Sequence, residues 1–277
     1  MKSISIRRSC GYGDVVSASC IASKISKLGF EVLFQSNKDC HDVLRRTPCI
    51  SGYSEPSGDV DINLDGAYEN HPDKKRFHFS EMFTQRANEF LKTIGAEIES
   101  SPWNATLEVS EEEKFVSRLF MAGYAGRDKP WVVICPRSNG FVNRTIPDTV
   151  WSDVAKNIYG SCFWLGSHSA APHNIHDLKC RTIDSVILAV SVADVLVTVD
   201  TGVMHIGDAL GIRMVAIEQS SSPKLHLSEK ANFTVVSPEL DCLNCQLGIC
   251  PINPAEPPCM SVSPEAISDA VNRKLVQ

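Results

Sequence analysis

The sequence lacks the features that mark several classes of protein. It contains no apolar run of about 20 residues, the length that a helix needs to cross a bilayer, so we expect no transmembrane segment. The N-terminus has no apolar signal region and reads as a strand that includes Arg7 and Arg8, which favours a cytoplasmic protein. No dense run of Lys or Arg is present and the formal net charge is −6, so nucleic acid is not an expected main ligand.

Cysteine, by contrast, is abundant, with 11 residues. In a reducing compartment, clustered cysteines indicate a metal site before a disulfide. Cys242, Cys245, Cys250 and Cys259 lie in one proline-containing segment, 242–259. The first two are separated by two residues, a spacing that lets both thiolates bind one ion, and the other two complete a tetrahedral set. Their irregular spacing leaves a structural zinc, a structural iron and four reduced thiols open.

The chain alternates short β-rich runs with segments of helical periodicity, which predicts an α/β fold around mostly parallel sheets. The length of 277 residues fits two domains, predicted at 1–125 and 126–277 around a linker at 123–130. For the first domain, the patterns predict strands at 3–8, 31–35 and 59–64 and helices at 15–28, 80–94 (capped by Ser80) and 111–122. For the second, they predict strands at 131–135, 162–165, 195–199 and 214–217 and helices at 149–159, 183–191 and 202–210.

The most informative stretch joins the strand at 195–199 to the helix that follows it. Asp200, Thr201 and Gly202 stand at this junction, and His205 follows one turn later. Ligands bind beyond the carboxyl ends of strands in such sheets, and the N–H groups of a first helical turn favour an anion. The alternative is structural: Asp200 and Thr201 cap the helix, and His205 is a core residue.

This stretch, VLVTVDTGVMHIGDALGIRMVAIEQSSSP, resembles the C-terminal signature of glycosyltransferase family 9, the heptosyltransferases. The matching residues are Asp200, Thr201, Gly202, His205, Ala209, Leu210, Gly211, Val215 and Pro223. The resemblance implies a GT-B type α/β fold, with two Rossmann-like domains facing across a cleft. It also implies inverting transfer of a heptose-like sugar from a nucleotide-diphosphate sugar, with an ADP-sugar favoured, to an acceptor hydroxyl. The chemistry is expected to need no catalytic metal.

The resemblance also implies roles for residues of the second half. Thr201, Gly202 and His205 are expected to hold the donor pyrophosphate, and Asp200 to shape the same loop. Arg144 stands where the family often has a basic residue, and a guanidinium there stabilises the departing diphosphate. Three further donor-side candidates follow the first two strands of this half: Arg137, Ser138 and Ser167.

The sequence departs from the family pattern at two places. Residues 219–222 read Gln-Ser-Ser-Ser where relatives usually carry a Gly-Pro-Thr type loop. Residues 166–169 contain no acidic residue of the kind that often binds the donor ribose. The base and the sugar of the donor therefore stay open.

In the first half, Gly11-Tyr12-Gly13-Asp14 follows the first strand. A dinucleotide-binding loop would need a third glycine where Val16 stands, so this interpretation fails. The other interpretation is the N-terminal signature of the same family, in which Gly13 lies on the acceptor side and Asp14 is the general base. The structural alternative is that Asp14 only stabilises the helix dipole.

Partners and rival functions follow from the resemblance. The expected acceptor is a glycan, a lipopolysaccharide core or a protein, and the expected location is the cytoplasm or the inner-membrane periphery. In some family members a similar cysteine-rich element binds iron. The rivals are a nucleotide-sugar epimerase or hydrolase on the same architecture, and a non-catalytic module that binds a nucleotide sugar.

Overall fold

The protein, described by a computed structural model, divides into two compact units. The described residues are 2–9, 11–100, 105–126, 128–138, 141–166 and 170–277. Unit 1 comprises Met1–Glu108 and Lys224–Lys230, and unit 2 comprises Val109–Pro223 and Ala231–Gln277. Each unit contains a parallel sheet with helices, so the predicted α/β class is confirmed. No helix in the described ranges combines the length and the apolar character needed to cross a membrane.

Unit 1 is built on a four-stranded parallel sheet. Its strands are β1 (Ser3–Arg7), β2 (Glu31–Gln35), β3 (Gly52–Ser54) and β4 (Ile62–Asn63), and its helices are α1 (Tyr12–Lys27), α2 (His41–Arg45) and α3 (Phe79–Leu91). The strand order is β3-β2-β1-β4. The order reverses at β1, which pairs with β2 on one side and β4 on the other. The carboxyl ends of β1 and β4 therefore form the topological switch point of unit 1.

Two helix starts in unit 1 differ from the sequence prediction. Helix α1 begins at Tyr12 instead of residue 15, because Gly11 provides a backbone with φ of 82° at the N-cap, so Gly13 and Asp14 lie in the first helical turn. Helix α3 is capped by His78 and not by Ser80. The His78 side chain accepts from Ser80 N, and Glu81 reaches back to His78 N. This capping box explains the shift.

Unit 2 contains a six-stranded parallel sheet and a hairpin. The sheet strands are β5 (Trp131–Cys135), β8 (Ser161–Trp164), β9 (His176–Asp177), β10 (Val195–Val199), β11 (Met214–Ile217) and β12 (Phe233–Val236), and the antiparallel hairpin is β6 (Arg137–Ser138) with β7 (Phe141–Thr145). The sheet order is β12-β11-β10-β5-β8-β9. This is the Rossmann order, and its switch point lies between β5 and β10.

The helices of unit 2 cover its sheet. They are α4 (Glu111–Ala125), α5 (Asp148–Lys156), α6 (Ile183–Val190), α7 (Gly202–Ala209) and α8 (Pro264–Leu275). Every residue of β5 and β10 is buried, as expected of parallel strands that carry helices on both faces. Trp151 of α5 meets Trp164 of β8 edge to face in the core. The predicted bounds of β5, β10 and β11 are confirmed.

The division between the units differs from the predicted boundary at 125/126. Helix α4 continues to Ala125, through the first part of the predicted linker. It packs on α6, and Ser117 donates a hydrogen bond to Leu188 O. These contacts place α4 in unit 2, so the compact units divide after Glu108.

Candidate active site

The switch point of unit 2 carries a buried ion pair. Asp200 follows the last residue of β10, and its carboxylate lies 3.0 Å from Arg144 Nη1. Ser221 Oγ donates a short hydrogen bond to the same carboxylate oxygen. The Asp200 side chain is 6% exposed and that of Arg144 is 21% exposed. The cation is therefore the member of this pair that solvent and ligands can reach.

Arg144 is held by more than its charge partner. It lies in β7, and its guanidinium is centred 4.7 Å from the ring of Phe141 at the start of the same strand. Its Nε is buried and has no hydrogen-bond partner among the described residues. The hairpin and Asp200 thus fix the guanidinium before any ligand arrives, which reduces the entropy lost on binding.

The start of α7 follows the structural alternative in two respects. Thr201 is the N-cap residue, and its Oγ1 accepts from Val203 N at 3.1 Å. His205 is 8% exposed, and its Nε2 lies 4.0 Å from Asp200 Oδ1. Cys135, the last residue of β5, lies 4.0 Å from the Thr201 hydroxyl. Gly202 is the first residue of the helix. Donor contacts by Thr201, Gly202 and His205 stay predictions.

The remaining donor-side candidates occupy separate positions. Arg137 forms an ion pair with Asp148, the first residue of α5, and not with Asp200. Ser138 lies in β6 opposite Phe141. Ser167 lies outside the described residues. Of the two predicted arginines, Arg144 is therefore the one that the structure brings to the carboxyl end of β10.

The Gln-Ser-Ser-Ser loop that departs from the family pattern is buried and hydrogen-bonded. Gln219 Nε2 donates to Thr145 O and Cys259 O, both at 3.2 Å. Ser220 Oγ donates to Asn143 O at 3.4 Å, next to Arg144. The sequence analysis missed the support that this loop gives to the hairpin. The run of polar residues directly after the buried β11 was the available signal.

The four cysteines of the segment 242–259 belong to unit 2, and Cys259 lies close enough to the other three to interact with them electrostatically. Burial, together with the charges that Cys245, Cys250 and Cys242 would carry, raises the pKa of Cys259 to about 11. No three of the four sulfurs lie within 4.8 Å of one another, although the structure describes all four residues. The four thiols thus lie in one segment, but their sulfurs are not assembled around a single point.

The switch point of unit 1 carries a different ion-pair network. Arg8 directly follows β1, and its Nη2 donates to Asp14 Oδ1 at 2.7 Å and to Glu69 Oε1 at 2.5 Å. Its Nη1 donates to Glu69 Oε2 at 3.1 Å. The Arg8 side chain is 3% exposed and that of Asp14 is 43% exposed. Here the carboxylate is the accessible member of the pair.

Arg8 and Glu69 stay ionised in this network despite their burial. Burial opposes the charged form of Arg8, but the hydrogen bond that Arg8 donates to Glu69 and the charges of Asp14 and Glu69 outweigh it and raise the pKa of Arg8. Burial likewise opposes ionisation of Glu69, and the bond and charge of Arg8 reverse this and lower the pKa of Glu69. The site therefore presents an ionised network beside Asp14 at neutral pH.

Several members of this network escaped the sequence analysis. Asp65 accepts from Ser9 N at 2.7 Å and from Ser9 Oγ at 2.5 Å, and this links the ends of β1 and β4. Glu69 and Asp65 both follow β4, which was predicted only as residues 59–64. Polar residues after a parallel strand were the signal that could have identified them.

Each unit is a parallel α/β sheet with a charged pair at its switch point, which is where sheets of this class bind their ligands. The model of the family "Glycosyltransferase family 9 (heptosyltransferase)" matches residues 68–255. The chain belongs to glycosyltransferase family 9. It is therefore a glycosyltransferase, and the predicted resemblance is confirmed.

Solved structures agree with this assignment at the level of the fold. The glycosyl transferase family 9 protein from Veillonella parvula is 15% identical, with a TM-score of 0.77 over 99% of this chain and 97% of that one. The E. coli ADP-heptose lipopolysaccharide heptosyltransferase II is 15% identical, with a TM-score of 0.73 over 100% and 99%. The iron-containing dodecameric glycosyltransferase TibC from enterotoxigenic E. coli is 13% identical, with a TM-score of 0.62 over 100% and 75%. No curated protein matches the chain. The GT-B type fold is thus confirmed.

Proposed function

We propose that the protein is an inverting glycosyltransferase that moves a heptose-like sugar from an ADP-sugar to an acceptor hydroxyl. The observation that supports this most strongly is the opposite exposure of the two ion pairs. Unit 2 presents a cation, Arg144, where a diphosphate needs one, and unit 1 presents a carboxylate, Asp14, where a hydroxyl needs a base. The name of the E. coli relative, an ADP-heptose transferase, supports the choice of donor.

In this proposal unit 2 binds the donor. Arg144 pairs with the diphosphate, and its pre-fixed guanidinium stabilises the charge that develops as the sugar leaves. The start of α7 contributes Gly202 N–H, the Thr201 hydroxyl and His205. Arg137, Ser138 and Ser167 provide further donor contacts. Because the arginine carries the charge of the leaving group, the reaction needs no catalytic metal ion.

Unit 1 binds the acceptor, and Asp14 is the general base. The ionised carboxylate removes the proton of the acceptor hydroxyl as the oxygen attacks the anomeric carbon. The new carbon–oxygen bond forms while the bond to the diphosphate breaks, and the configuration inverts in a single displacement. Gly13 keeps this helical turn free of a side chain on the acceptor side.

The test is a transfer assay with ADP-heptose and a panel of acceptors that includes lipopolysaccharide core glycans and proteins. Asp14→Asn should lower kcat by about 10³-fold and leave the Kd for ADP within about twofold. Arg144→Met should raise the Kd for ADP by at least about tenfold. Asp42→Asn, in the first turn of α2 with a side chain 41% exposed, is the matched control and should behave as wild type.

Four outcomes would contradict the proposal in different ways. Unchanged turnover of Asp14→Asn removes this residue from the mechanism. Release of free heptose without acceptor identifies a hydrolase, and a changed donor identifies an epimerase. Tight ADP binding without turnover on any acceptor identifies a non-catalytic nucleotide-sugar module.

We also propose that Cys242, Cys245, Cys250 and Cys259 hold a structural zinc or iron ion. Four thiols in one segment suit either metal, and a bound ion would draw their sulfurs closer together than they lie in the structure while removing the mutual repulsion of their thiolates. The relative TibC is named as iron-containing. Elemental analysis should find about one ion per chain in the wild type and none in Cys245→Ser. Cys180→Ser, outside the segment, should keep the ion, and a metal-free wild type contradicts the proposal.

The location follows from the substrates. A cytoplasmic enzyme, at most peripheral to the inner membrane, has access to nucleotide sugars and to growing acceptors. Cell fractionation tests this: the protein should occur in the cytosolic fraction or be released from membranes by high salt.

A further inference from the structure

We propose that Arg8 is the positioning residue of Asp14, and that Glu69 holds Arg8 in place and moderates its charge. This inference rests on the proposed role of Asp14 as the base. It concerns Arg8 and Glu69, which belong to the hydrogen-bond network of Asp14 and to which neither family motif assigns a function. The supporting observations are the hydrogen-bond geometry, the burial and the charges of this network.

The geometry makes Arg8 the fixed member of the pair. Its guanidinium donates to Leu64 O at 3.2 Å and to both Glu69 oxygens, and it lies 5.6 Å from the ring of Phe83. Both terminal nitrogens are engaged by Glu69, and Nη2 also donates to Asp14. A planar guanidinium held at several points cannot rotate without breaking bonds in a buried site. Asp14 therefore adopts the position that Arg8 dictates.

Gly11 shows how closely the carboxylate is confined. A Cβ added to Gly11 would lie 2.0 Å from Asp14 Oδ2, so the side chain of Asp14 packs directly over this glycine. Arg8 holds one oxygen of Asp14 and the glycine backbone borders the other. A base confined in this way keeps one oxygen at the distance from a hydroxyl that proton transfer needs.

The charges near Asp14 predict opposite effects for the two neighbours. The described charged groups at this switch point are Arg8 after β1, and Asp65 and Glu69 after β4. The positive charge of Arg8 favours the ionised form of Asp14, and the negative charge of Glu69 offsets part of this effect. Removing Arg8 should make Asp14 easier to protonate, and removing the Glu69 charge should make it harder.

The experiment compares Arg8→Met, Arg8→Lys and Glu69→Gln with the control Arg7→Met. Arg7 is the adjacent arginine, and its guanidinium donates to Gln35 and to the carbonyls of Ser57 and Gly58. Arg8→Met should lower kcat by about 100-fold with the donor KM within about twofold, because donor binding belongs to unit 2. Arg8→Lys should restore about a tenth of wild-type kcat, and Arg7→Met should keep all of it.

Two pH measurements separate positioning from a structural role. The acidic limb of the kcat/KM profile should move to higher pH in Arg8→Met and to lower pH in Glu69→Gln. The ¹³Cγ signal of Asp14, assigned by its loss in Asp14→Asn, should titrate with the same opposite shifts and needs no turnover. ADP binding and thermal unfolding check that each variant is folded, and Glu69→Gln retains the arginine if Arg8→Met does not fold.

The outcomes distinguish this inference from the proposed function. If Asp14→Asn loses activity but Arg8→Met keeps the kcat and the titration of Arg7→Met, the positioning role is wrong while the base stands. If the two shifts of the Asp14 signal have the same sign, the role of Glu69 is wrong. If the wild type transfers no sugar, the proposed function fails, and the Asp14 titration still decides whether Arg8 and Glu69 act on this carboxylate.

Discussion

Each unit has an ion pair of an arginine and an aspartate at the switch point of its sheet, yet the two units bury opposite members of the pair. In unit 1 the arginine is enclosed and the carboxylate of Asp14 is exposed, whereas in unit 2 the carboxylate of Asp200 is enclosed and Arg144 is partly exposed. A buried charge needs a partner, so each pair is stable in its own unit. The exposed member decides which ligand the unit can serve: a proton donor in unit 1 and an anion in unit 2.

The opposite burial of Asp200 and Asp14 predicts different losses of stability when each is replaced. Asp200→Asn removes the buried charged acceptor of Arg144 and Ser221 and should lower the free energy of unfolding by about 3 kcal/mol. Asp14→Asn removes an acid that is nearly half exposed and should cost less than about 1 kcal/mol. Chemical denaturation of both variants measures the two values. Equal losses would show that the two pairs are not arranged in opposite ways.

A second prediction concerns the space that Gly11 leaves for the exposed carboxylate of Asp14 in unit 1. Gly11→Ala introduces a Cβ that collides with Asp14 Oδ2, at a residue whose φ of 82° already favours glycine. We expect a loss of about 2 kcal/mol in the free energy of unfolding and a marked loss of kcat. Gly29→Ala has a similar φ of 88° with nothing within 4 Å of the added Cβ, so it is the matched control with backbone strain alone. If both variants lose the same stability and activity, the Asp14 carboxylate does not pack over Gly11.

A third prediction concerns the pH dependence of the stability of unit 1. Burial lowers the pKa of His78 from 6.5 to about 4 in spite of its bond to Leu227 O, so the residue is neutral in the folded unit 1. Below pH 6.5 the unfolded chain binds the proton more readily than the folded one, so stability falls as the pH drops toward 4. We expect His78→Asn to remove about 1.5 kcal/mol of this pH-dependent loss. Thermal unfolding at pH 7 and pH 4.5 measures it, and an unchanged pH dependence in the variant would rule His78 out as the cause.

The smallest expected effect concerns the start of α7. Thr201→Ala removes the cap on Val203 N and should cost about 1 kcal/mol of unfolding free energy. Ser263→Ala removes an equivalent cap from α8, away from Asp200, and should cost about the same. Only the Thr201 variant should also weaken ADP binding. If both variants bind ADP equally well, Thr201 is a structural cap and not a donor ligand.

Much of the fold was predictable because its signals are local. Strands β5, β10 and β11 are continuous apolar runs, and their bounds were predicted correctly. Helix α2 and strand β3 were missed because elements of five and three residues carry too little periodicity. The hairpin of β6 and β7 was missed because its polar residues read as a loop, although it carries Arg144.

The candidate site was predictable only in part. Motif positions predicted Asp14, Asp200 and Arg144 as site residues, but not that Asp200 pairs with Arg144. The contact of Glu69 with Arg8 could not be predicted, because the two residues are 61 apart in sequence and only the pairing of β1 with β4 brings them together. The sequence therefore predicted the residues at the ends of the strands and not their partners.

The sequence by itself determined the α/β class, the main strands and the acidic and basic residues that follow them, because hydrophobic runs and helix-start residues act over short distances. The tertiary structure decided which member of each ion pair is buried. That choice depends on side chains contributed from distant strand ends: Glu69 and Leu64 enclose Arg8, and Ser221 together with β7 encloses Asp200. Burial of a charge is a property of the assembled packing, and no local pattern encodes it.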